Sequence, residues 1–359
     1  MRSVSLMDKG TAVNSARRRT AAWILFAVAL VAFPFVITNP TYTSIGVFAV
    51  IFMACATAWN FFSGFSGYIS LGHGVFYGLG GYTIALLSNH LGMSGGYAIF
   101  WLVPVGGLVA VVVAIPFAMV ALRTRRRTFI VITLAIFWLF QLSAYNFGFT
   151  GGAGGLQIPS PSWSPSFFNL PFYFAALLLL GLAFALSLGV RKSRFGLQLL
   201  AIRDDEERAR GLGVKVWPVK VSALVLSAFV TGMAGAIWAY FIGQIFPQFA
   251  FDPVFGVTIA LMTFLGGIGT LAGPMLGALI LESSQQYLSL QFSNGSVFLV
   301  AFGALFLFVL LFIPKGIVPG VSSWLADRRA SRTQRASDAG GPPLHLGASL
   351  PTSAESGGR

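Results

Sequence analysis

Residues able to do acid–base or metal chemistry are scarce in this chain. Ten of its 359 residues are Asp or Glu, three are His and one is Cys. His73 and His90 have no Cys, His or carboxylate at the spacing of a metal site. No nucleophile stands at motif spacing from a base. We therefore expect no catalytic residue and no metal ligand.

The glycine-rich stretch at residues 151–155 does not have the sequence of a phosphate-binding loop. It is followed by Leu156, without the Lys-Ser or Lys-Thr pair of such a loop. Any ATP that powers this protein must then be hydrolysed by another chain. We expect no cofactor to be bound by this one.

Two further glycine-rich segments, at residues 64–81 and 266–277, interrupt long apolar runs. Non-helical backbone at membrane depth is tolerated where protein buries it or where it lines a water-filled cavity. Paired interruptions in the two halves of a chain point to a transporter site. The predicted pathway residues are Gly64, Ser66, Gly67, Ser70, Gly72, Tyr82, Gly266, Gly267 and Gly269. The alternative is close helix packing through small residues.

The ten carboxylates all fall outside the middles of the apolar runs, and Glu282 is assigned to a loop at residues 282–295. Ionisable groups inside a bilayer are costly and usually functional. Their expected absence argues against proton coupling through a carboxylate relay. Sodium bound by backbone carbonyls remains compatible with the sequence.

The longest internal polar segment, residues 191–218, reads RKSRFGLQLLAIRDDEERARGLGVKVWP. Acidic residues followed by basic ones predict a short helix aligned with its macrodipole, which Gly211 and Gly213 can end. Two i,i+4 ion pairs would support it, Asp204–Arg208 and Glu206–Arg210. The segment is either a solvated connection that sets topology or a rigid lever for a cytosolic motor, and the residues alone leave both open.

The elements that carry these segments are apolar runs long enough to cross a bilayer. The chain is 56% hydrophobic and 9% charged, with a mean hydropathy of +0.80, whereas soluble domains carry about 25% charged residues. Full-length runs are at residues 21–38, 43–62, 98–122, 128–147, 171–190, 219–243 and 296–313; a shorter run is at 74–91, and the run at 255–281 is broken into two half-length segments. We predict an all-α polytopic membrane protein of about eight to ten transmembrane segments, including broken or re-entrant half-helices.

Basic residues set the predicted orientation. The net charge of +13 does not predict nucleic-acid binding, because Lys and Arg lie between the apolar runs. They occur at residues 17–19, 123–127, 191–220 and from 315 onward, and the intervening loops have none. Since Lys- and Arg-rich loops stay in the cytoplasm, both termini are predicted to be cytoplasmic.

Three regions follow from this layout. Residues 1–20 form a basic cytoplasmic tail, residues 21–325 the transmembrane domain, and residues 326–359 a disordered cytoplasmic tail that is poor in aromatic and β-branched residues. The apolar run that begins at residue 21 lacks a following A-x-A cleavage site. We expect it to remain as the first span rather than act as a signal peptide.

Four stretches together resemble the permeases of branched-chain amino acid ABC transporters, of the LivM type. They are residues 60–82 (NFFSGFSGYISLGHGVFYGLGGY), 150–156, 193–236 and 266–278, and the resemblance spans about residues 21–316. In such permeases an E-A-A-x3-G pattern receives the ATPase, and Glu207, Ala209 and Gly213 fit it, with Arg203 and Glu206 in the same loop. Two departures are Arg208 in place of the middle alanine, and Trp138 where the family often has a carboxylate.

The resemblance implies a multi-pass permease subunit of the bacterial inner membrane that is not itself an enzyme. It implies two cytoplasmic ATPases that bind ATP and Mg, a second permease that is a relative or a copy, and an extracytoplasmic solute-binding protein. The implied substrates are branched-chain or other small hydrophobic amino acids. Urea or short-chain amides are the alternative within the family. An ATP-independent carrier or channel is the rival from another class, and a membrane enzyme is a weaker one.

Overall fold

The computed structural model describes residues 21–161, 163–164, 167–291, 300, 303–304, 307 and 316–320. The predicted tails at 1–20 and 326–359, and most of the predicted span at 296–313, lie outside these residues.

Helices make up nearly all of the described chain. In chain order they are α1 Ala21–Val36, α2 Pro40–Trp59, α3 His73–His90, α4 Val103–Ala121, α5 Arg126–Asn146, α6 Asn169–Lys192, α7 Arg194–Asp204, α8 Glu206–Gly211, α9 Val216–Ile242, α10 Pro247–Ala250, α11 Pro253–Gly266 and α12 Gly273–Gln291. A π-helical turn, Asn60–Gly64, extends α2, and a 3₁₀ segment, Tyr97–Leu102, leads into α4.

Among the described residues, six helical segments are long and apolar enough to cross a membrane. They are Pro40–Gly64, Tyr97–Ala121, Arg126–Asn146, Asn169–Lys192, Val216–Ile242 and Pro247–Gly266, and α1 is a shorter apolar helix. These segments match the predicted runs closely. The prediction of an all-α polytopic membrane protein is therefore confirmed.

Short irregular elements gather at one end of the bundle. A two-stranded antiparallel ladder pairs β1, Leu156–Gln157, with β2, Gln244–Ile245. The Asn89 side chain at the end of α3 donates to the Gln157 carbonyl at 2.7 Å. The ends of α3 and α9 are thereby joined to the glycine-rich stretch after α5.

The predicted break in the late apolar run is present between α11 and α12, at residues 267–272. Gly267 and Gly269 have φ of +119° and +79° there, conformations that favour glycine. The predicted end of the second half is wrong, because α12 continues to Gln291. Starting only at Gly273, the helix needs this length to run back along α11 and α2.

The core is built around α9 and α2. Helix α9 packs on α3, α4 and α2, and α2 also packs on α6 and α12. Glycines permit the closest approaches, since a Cβ on Gly80 would overlap the Gly232 carbonyl and one on Gly235 the Tyr77 carbonyl. Van der Waals packing through small residues is how helices associate where lipid removes the hydrophobic driving force.

Candidate functional site

The polar segment at residues 191–218 folds as two short helices rather than one. Helix α7 ends at Asp204, and Asp205 is extended and caps α8 by accepting from the backbone N–H groups of Glu207 and Arg208 at 3.0 and 3.1 Å. The predicted single helix, in which Asp204 would pair with Arg208, is therefore wrong because it is interrupted at Asp205. The capping bond satisfies helix-end donors that would otherwise be unpaired.

Only one of the two predicted ion pairs is formed. Arg210 reaches Glu206 at 3.3 Å, as expected, but Arg208 binds Asp205 at 3.0 Å in an i,i+3 pair rather than Asp204. The kink at Asp205 places Asp204 on the preceding helix, which explains the change of partner. Helix α8 ends at Gly211, and Gly213 has φ of +87°, as the predicted glycine stop requires.

A buried triad ties α8 to the rest of the protein. The Lys220 ammonium, only 3% exposed, donates to the Glu206 carboxylate and to the Tyr68 hydroxyl, both at 3.0 Å. The Tyr68 hydroxyl in turn donates to the other carboxylate oxygen. Tyr68 belongs to the first glycine-rich segment, so this ion pair joins the polar loop to the predicted pathway.

The charges of the triad determine the protonation of Glu206. Partial burial alone would raise the pKa of the carboxyl group, but hydrogen bonds from Tyr68 and Lys220 and the charges of Lys220 and Arg210 outweigh it. The pKa of Glu206 is consequently lowered below its ordinary value. The carboxylate stays ionised at neutral pH, as the ion pair with Lys220 requires.

Two arginines connect α7 to its neighbours. The Arg203 guanidinium donates to the Gly64 carbonyl at 2.8 Å and lies against Gly269, while the Arg126 guanidinium donates to the carbonyls of Ile202 and Arg203 at 2.6 and 2.7 Å. Arg126 thus holds the last carbonyls of α7. Arg203, predicted as a coupling residue, touches the two glycine-rich segments at once.

Asn60 joins the two broken segments directly. Its amide nitrogen donates to the Thr270 carbonyl, and its amide oxygen accepts from the Gly269 N–H, both at 2.8 Å. Gly64 is close to Gly269, so glycines from the two halves of the chain meet at this junction. The irregular backbone at this junction is buried or half-buried, and the Asn60 and Arg203 side chains pair with its Thr270 carbonyl, Gly269 N–H and Gly64 carbonyl.

The other predicted pathway residues are packed rather than open in this conformation. Ser66 and Ser70 are fully buried, Gly72 lies against Phe117, and Tyr82 stacks on Phe251. A Cβ on Gly266 would overlap Gly273. Gly67 contacts Arg203, and Gly267 is buried. Whether these residues line a pathway in another conformation stays a prediction.

His73 has a structural hydrogen-bond pattern. Its ring nitrogens lie 2.9 Å from the Ser70 hydroxyl and 2.8 Å from the Ser227 hydroxyl. Because the Ser227 hydroxyl donates to the Ala58 carbonyl, Nε2 of His73 must carry the hydrogen and Nδ1 must accept from Ser70. The neutral imidazole therefore joins α3 to α9 and α2.

A cavity of about 360 Å³ lies beside these segments, towards the end of the bundle that carries β2. We call it the aromatic cavity; its lining includes Phe52, Tyr77, Trp238, Phe246, Phe255, Asp252, Thr258 and Gln285. None of the nine predicted pathway residues is among the described residues that line it. The sequence reasoning missed it, because its wall combines side chains from five helices and the loop after α9.

Glu282 corrects the predicted placement of the carboxylates. It was assigned to a loop, but it lies within α12 and is 1% exposed. The expected absence of a carboxylate inside the helical bundle, and the argument against a proton relay drawn from it, are therefore wrong. The spacing of Pro274, Ala278 and Glu282, one helical turn apart, was the signal for a shared buried face.

Trp138, the residue at which the sequence departs from the family pattern, faces outward from α5 and is 51% exposed. Its ring packs edge-on against that of Phe137.

Fold and site together define a polytopic membrane permease, with two broken helical segments joined to a polar helix pair. Residues 41–310 match the profile of the family described as branched-chain amino acid transport system / permease component. The chain belongs to this family. It is accordingly a multi-pass permease component of an ABC importer in the bacterial inner membrane, and not an enzyme.

Individual relatives agree with the family match. The high-affinity branched-chain amino acid transport system permease protein LivM of Escherichia coli K12 is 29% identical over 327 residues, covering 82% of this chain and 75% of the relative. LivH of Salmonella typhimurium is 28% identical over 271 residues, covering 71% of this chain and 87% of LivH. The L-arabinose permease AraH of Azospirillum brasilense is 29% identical over 154 residues, covering 42% of this chain and 41% of AraH. No solved structure matches the chain.

Proposed function

We propose that this permease carries branched-chain or related small hydrophobic amino acids across the inner membrane, driven by ATPases that dock on α8. The names of LivM and LivH support the substrate class. The observation that carries the coupling is the direct contact of α7 and α8 with both glycine-rich segments, through Arg203 and the Lys220–Glu206–Tyr68 triad. A displacement of this helix pair would act on the broken segments without an intermediate element.

The docking surface is the exposed side of α8. Glu207 and Gly213 are exposed, whereas Ala209 is buried and anchors the helix. The exposed side of α8 is therefore available to a partner, while Glu206 attaches the helix to the rest of the protein. Permeases of ABC importers work with ATPase and binding-protein partners in general. For this chain we propose two cytoplasmic ATPases that hold the ATP and Mg, a second permease subunit and an extracytoplasmic solute-binding protein.

The predicted pathway residues would become accessible when the two glycine-rich segments separate from each other. In the present conformation Asn60 and Arg203 hold them together. We expect ATPase closure to pull α7 and open this junction. A cysteine at Ser70, in a protein lacking Cys55, should then react with aqueous thiol reagents in one nucleotide state, and failure in every state would remove Ser70 from the pathway.

Reconstituted uptake tests the proposed function. The permease would be placed in liposomes with its ATPases, its partner permease and its binding protein, and offered labelled leucine, isoleucine, valine, urea and short-chain amides. We expect ATP-dependent uptake of the amino acids. Uptake of urea or amides alone would reassign the substrate, and uptake by this chain without ATPases would identify a secondary carrier.

A further inference from the structure

The aromatic cavity has an apolar wall and a polar end. Phe52, Trp238 and Phe255 provide aromatic surface, and Tyr77 stacks on Phe255 with ring centroids 4.2 Å apart. Its polar groups include the side chains of Tyr77 on α3 and Gln285 on α12, which both line the cavity. An apolar cavity with a few polar groups is typical of sites for small molecules.

Three oxygen atoms around this polar end have no hydrogen-bond partner among the described residues. They are Oε2 of Glu282, the hydroxyl oxygen of Tyr77 and Oε1 of Gln285. Glu282 precedes Gln285 by about one helical turn and interacts electrostatically with Tyr77. Its other carboxylate oxygen accepts from the Gln286 amide at 2.9 Å. Buried polar groups are normally paired, so these atoms need an explanation.

A primary ammonium group fits this set of atoms. It carries one positive charge and three N–H donors, and the unpaired oxygens are three acceptors, one of them on a carboxylate. A carboxylate buried without a cation is strongly disfavoured, and a bound ammonium would supply the missing charge. The aromatic wall would meanwhile receive an aliphatic side chain. An uncharged amide or urea would leave the carboxylate without a cation.

We propose that Glu282, Tyr77 and Gln285 bind the ammonium group of the transported solute, with its aliphatic side chain in the aromatic cavity. This assignment deepens the proposed function and rests on it for the identity of the solute. Asp252 is the carboxylate among the residues that line the cavity, whereas Glu282 is buried on α12 about one turn before the lining residue Gln285. Asp252 accepts from the backbone N–H of Val254 at 2.9 Å and caps α11. It therefore serves as the matched control for charge.

Thiol chemistry inside the cavity tests the site in the complete transporter. A Thr258→Cys change in a Cys55→Ala background places one thiol on the cavity wall, and its reaction rate is measured with cationic aminoethyl and neutral methyl methanethiosulfonate. The ratio of the cationic to the neutral reaction rate should fall about tenfold when Glu282→Gln is added. A hydrogen bond to a charged group changes a binding constant by about tenfold or more. Asp252→Asn should change the ratio less than about twofold.

Substrate protection supplies the second readout. L-leucine should slow the modification, whereas 2-hydroxy-4-methylpentanoate, which has a hydroxyl in place of the ammonium, should not. Glu282→Gln should remove the protection by leucine, and Tyr77→Phe should weaken this protection several-fold. If the Glu282→Gln variant does not assemble, Tyr77→Phe is used in its place. An unreactive thiol, equal protection by both compounds, or a charge preference lost only with Asp252→Asn would each overturn the proposal.

Uptake by the same preparations separates this inference from the proposed function. If the unaltered complex carries leucine and Glu282→Gln neither raises its apparent KM nor alters protection, the ammonium site is wrong while the function stands. If the complex carries no amino acid, the proposed function fails, and a cation preference that still depends on Glu282 would support a binding site for another aliphatic amine.

Discussion

The Lys220–Glu206–Tyr68 triad places a lysine where lysines are rarely found. Its ammonium is 3% exposed, against 22% for the Glu206 side chain that neutralises it. Such a group is stable only with its partner in place, because one charge left alone in a buried site is much costlier than the pair. The triad therefore stabilises the position of α8 as well as joining it to the first glycine-rich segment.

Replacing Glu206 with Gln should destabilise the permease. The change keeps the side-chain shape but removes the charge opposite Lys220, and hydrogen bonds to charged groups contribute about 1.5–3 kcal/mol each. Thermal unfolding in detergent should begin several degrees lower than for the unaltered protein. The adjacent and exposed Glu207→Gln is the control and should unfold as the unaltered protein does. Equal unfolding temperatures for both variants would show that the triad is not a stabilising contact.

Sequence reasoning at this scale succeeded where function depends on local spacing. The Glu206–Arg210 pair and the glycine stop at Gly213 were read from neighbours in the chain. Glu282, Tyr77 and Lys220 were missed or underrated, because burial and long-range partners decide their roles. Lys220 was counted only as one member of a basic cluster, and its contact with Tyr68 spans 152 residues of sequence.

The packing of α3 on α9 depends on glycine at the level of whole helices. Gly80 and Gly235 each face a backbone carbonyl of the opposite helix without room for a methyl group. Backbone atoms cannot rotate away as a side chain can, so a Cβ there must push the helices apart. The Tyr77 ring, which forms part of the aromatic cavity, lies on the same stretch of α3.

Gly80→Ala should destabilise the bundle by about 1–3 kcal/mol, the usual cost of overpacking a close contact. Gly181→Ala is the matched control, since a Cβ at that position of α6 meets nothing within 4 Å. Alanine there should be neutral or stabilising by up to about 1 kcal/mol, in line with its helix propensity. Yield and unfolding temperature of the purified proteins measure both effects, and equal behaviour of the two variants would contradict the close contact.

Helix α8 should lose its ATPase partner when its exposed side is altered. Glu207→Ala removes the charge offered to the partner, and Gly213→Ala places a side chain at φ of +87°, which L residues rarely adopt. The double variant should insert normally but co-purify with much less ATPase. Gly211→Ala alone is the control and should retain the ATPase, because Gly211 is helical and a Cβ there meets nothing within 4 Å. Stoichiometric ATPase on the Glu207 and Gly213 variant would argue strongly against docking at α8.

Elements were more predictable than their joints. The apolar runs predicted the spans because a bilayer demands about twenty apolar residues in a row. The break at Asp205 was missed because a capping bond determines it, and the extent of α12 was missed because packing on α2 and α11 determines it. Neither cause produces a periodic pattern in the sequence. The two glycine segments were predicted from their pattern to line a pathway, but their contact with each other through Asn60 was not predicted.

Across the described part of the molecule, charge is distributed unevenly. Every Lys and Arg there lies in residues 123–127 or 191–220, and contacts such as Arg126 with the end of α7 bring the two stretches together. The paired strands β1 and β2 and the turns around Gly151 carry no basic residue. One end of the bundle is thus basic and the other is not.

The positive-inside rule predicts that the basic end faces the cytoplasm. Both the proposed docking of ATPases and an outward position of the aromatic cavity depend on this orientation. A protease site or epitope inserted after Gly211 should be cleaved or labelled only from the cytoplasmic side. One inserted after Gly154, where a side chain would meet nothing, should be reached only from outside. Normal yield of membrane-inserted protein is the control for both insertions, because an insertion after Gly211 would also disturb the proposed docking surface. Access to the Gly211 insertion from outside intact cells would invert the molecule and leave α8 unable to receive an ATPase.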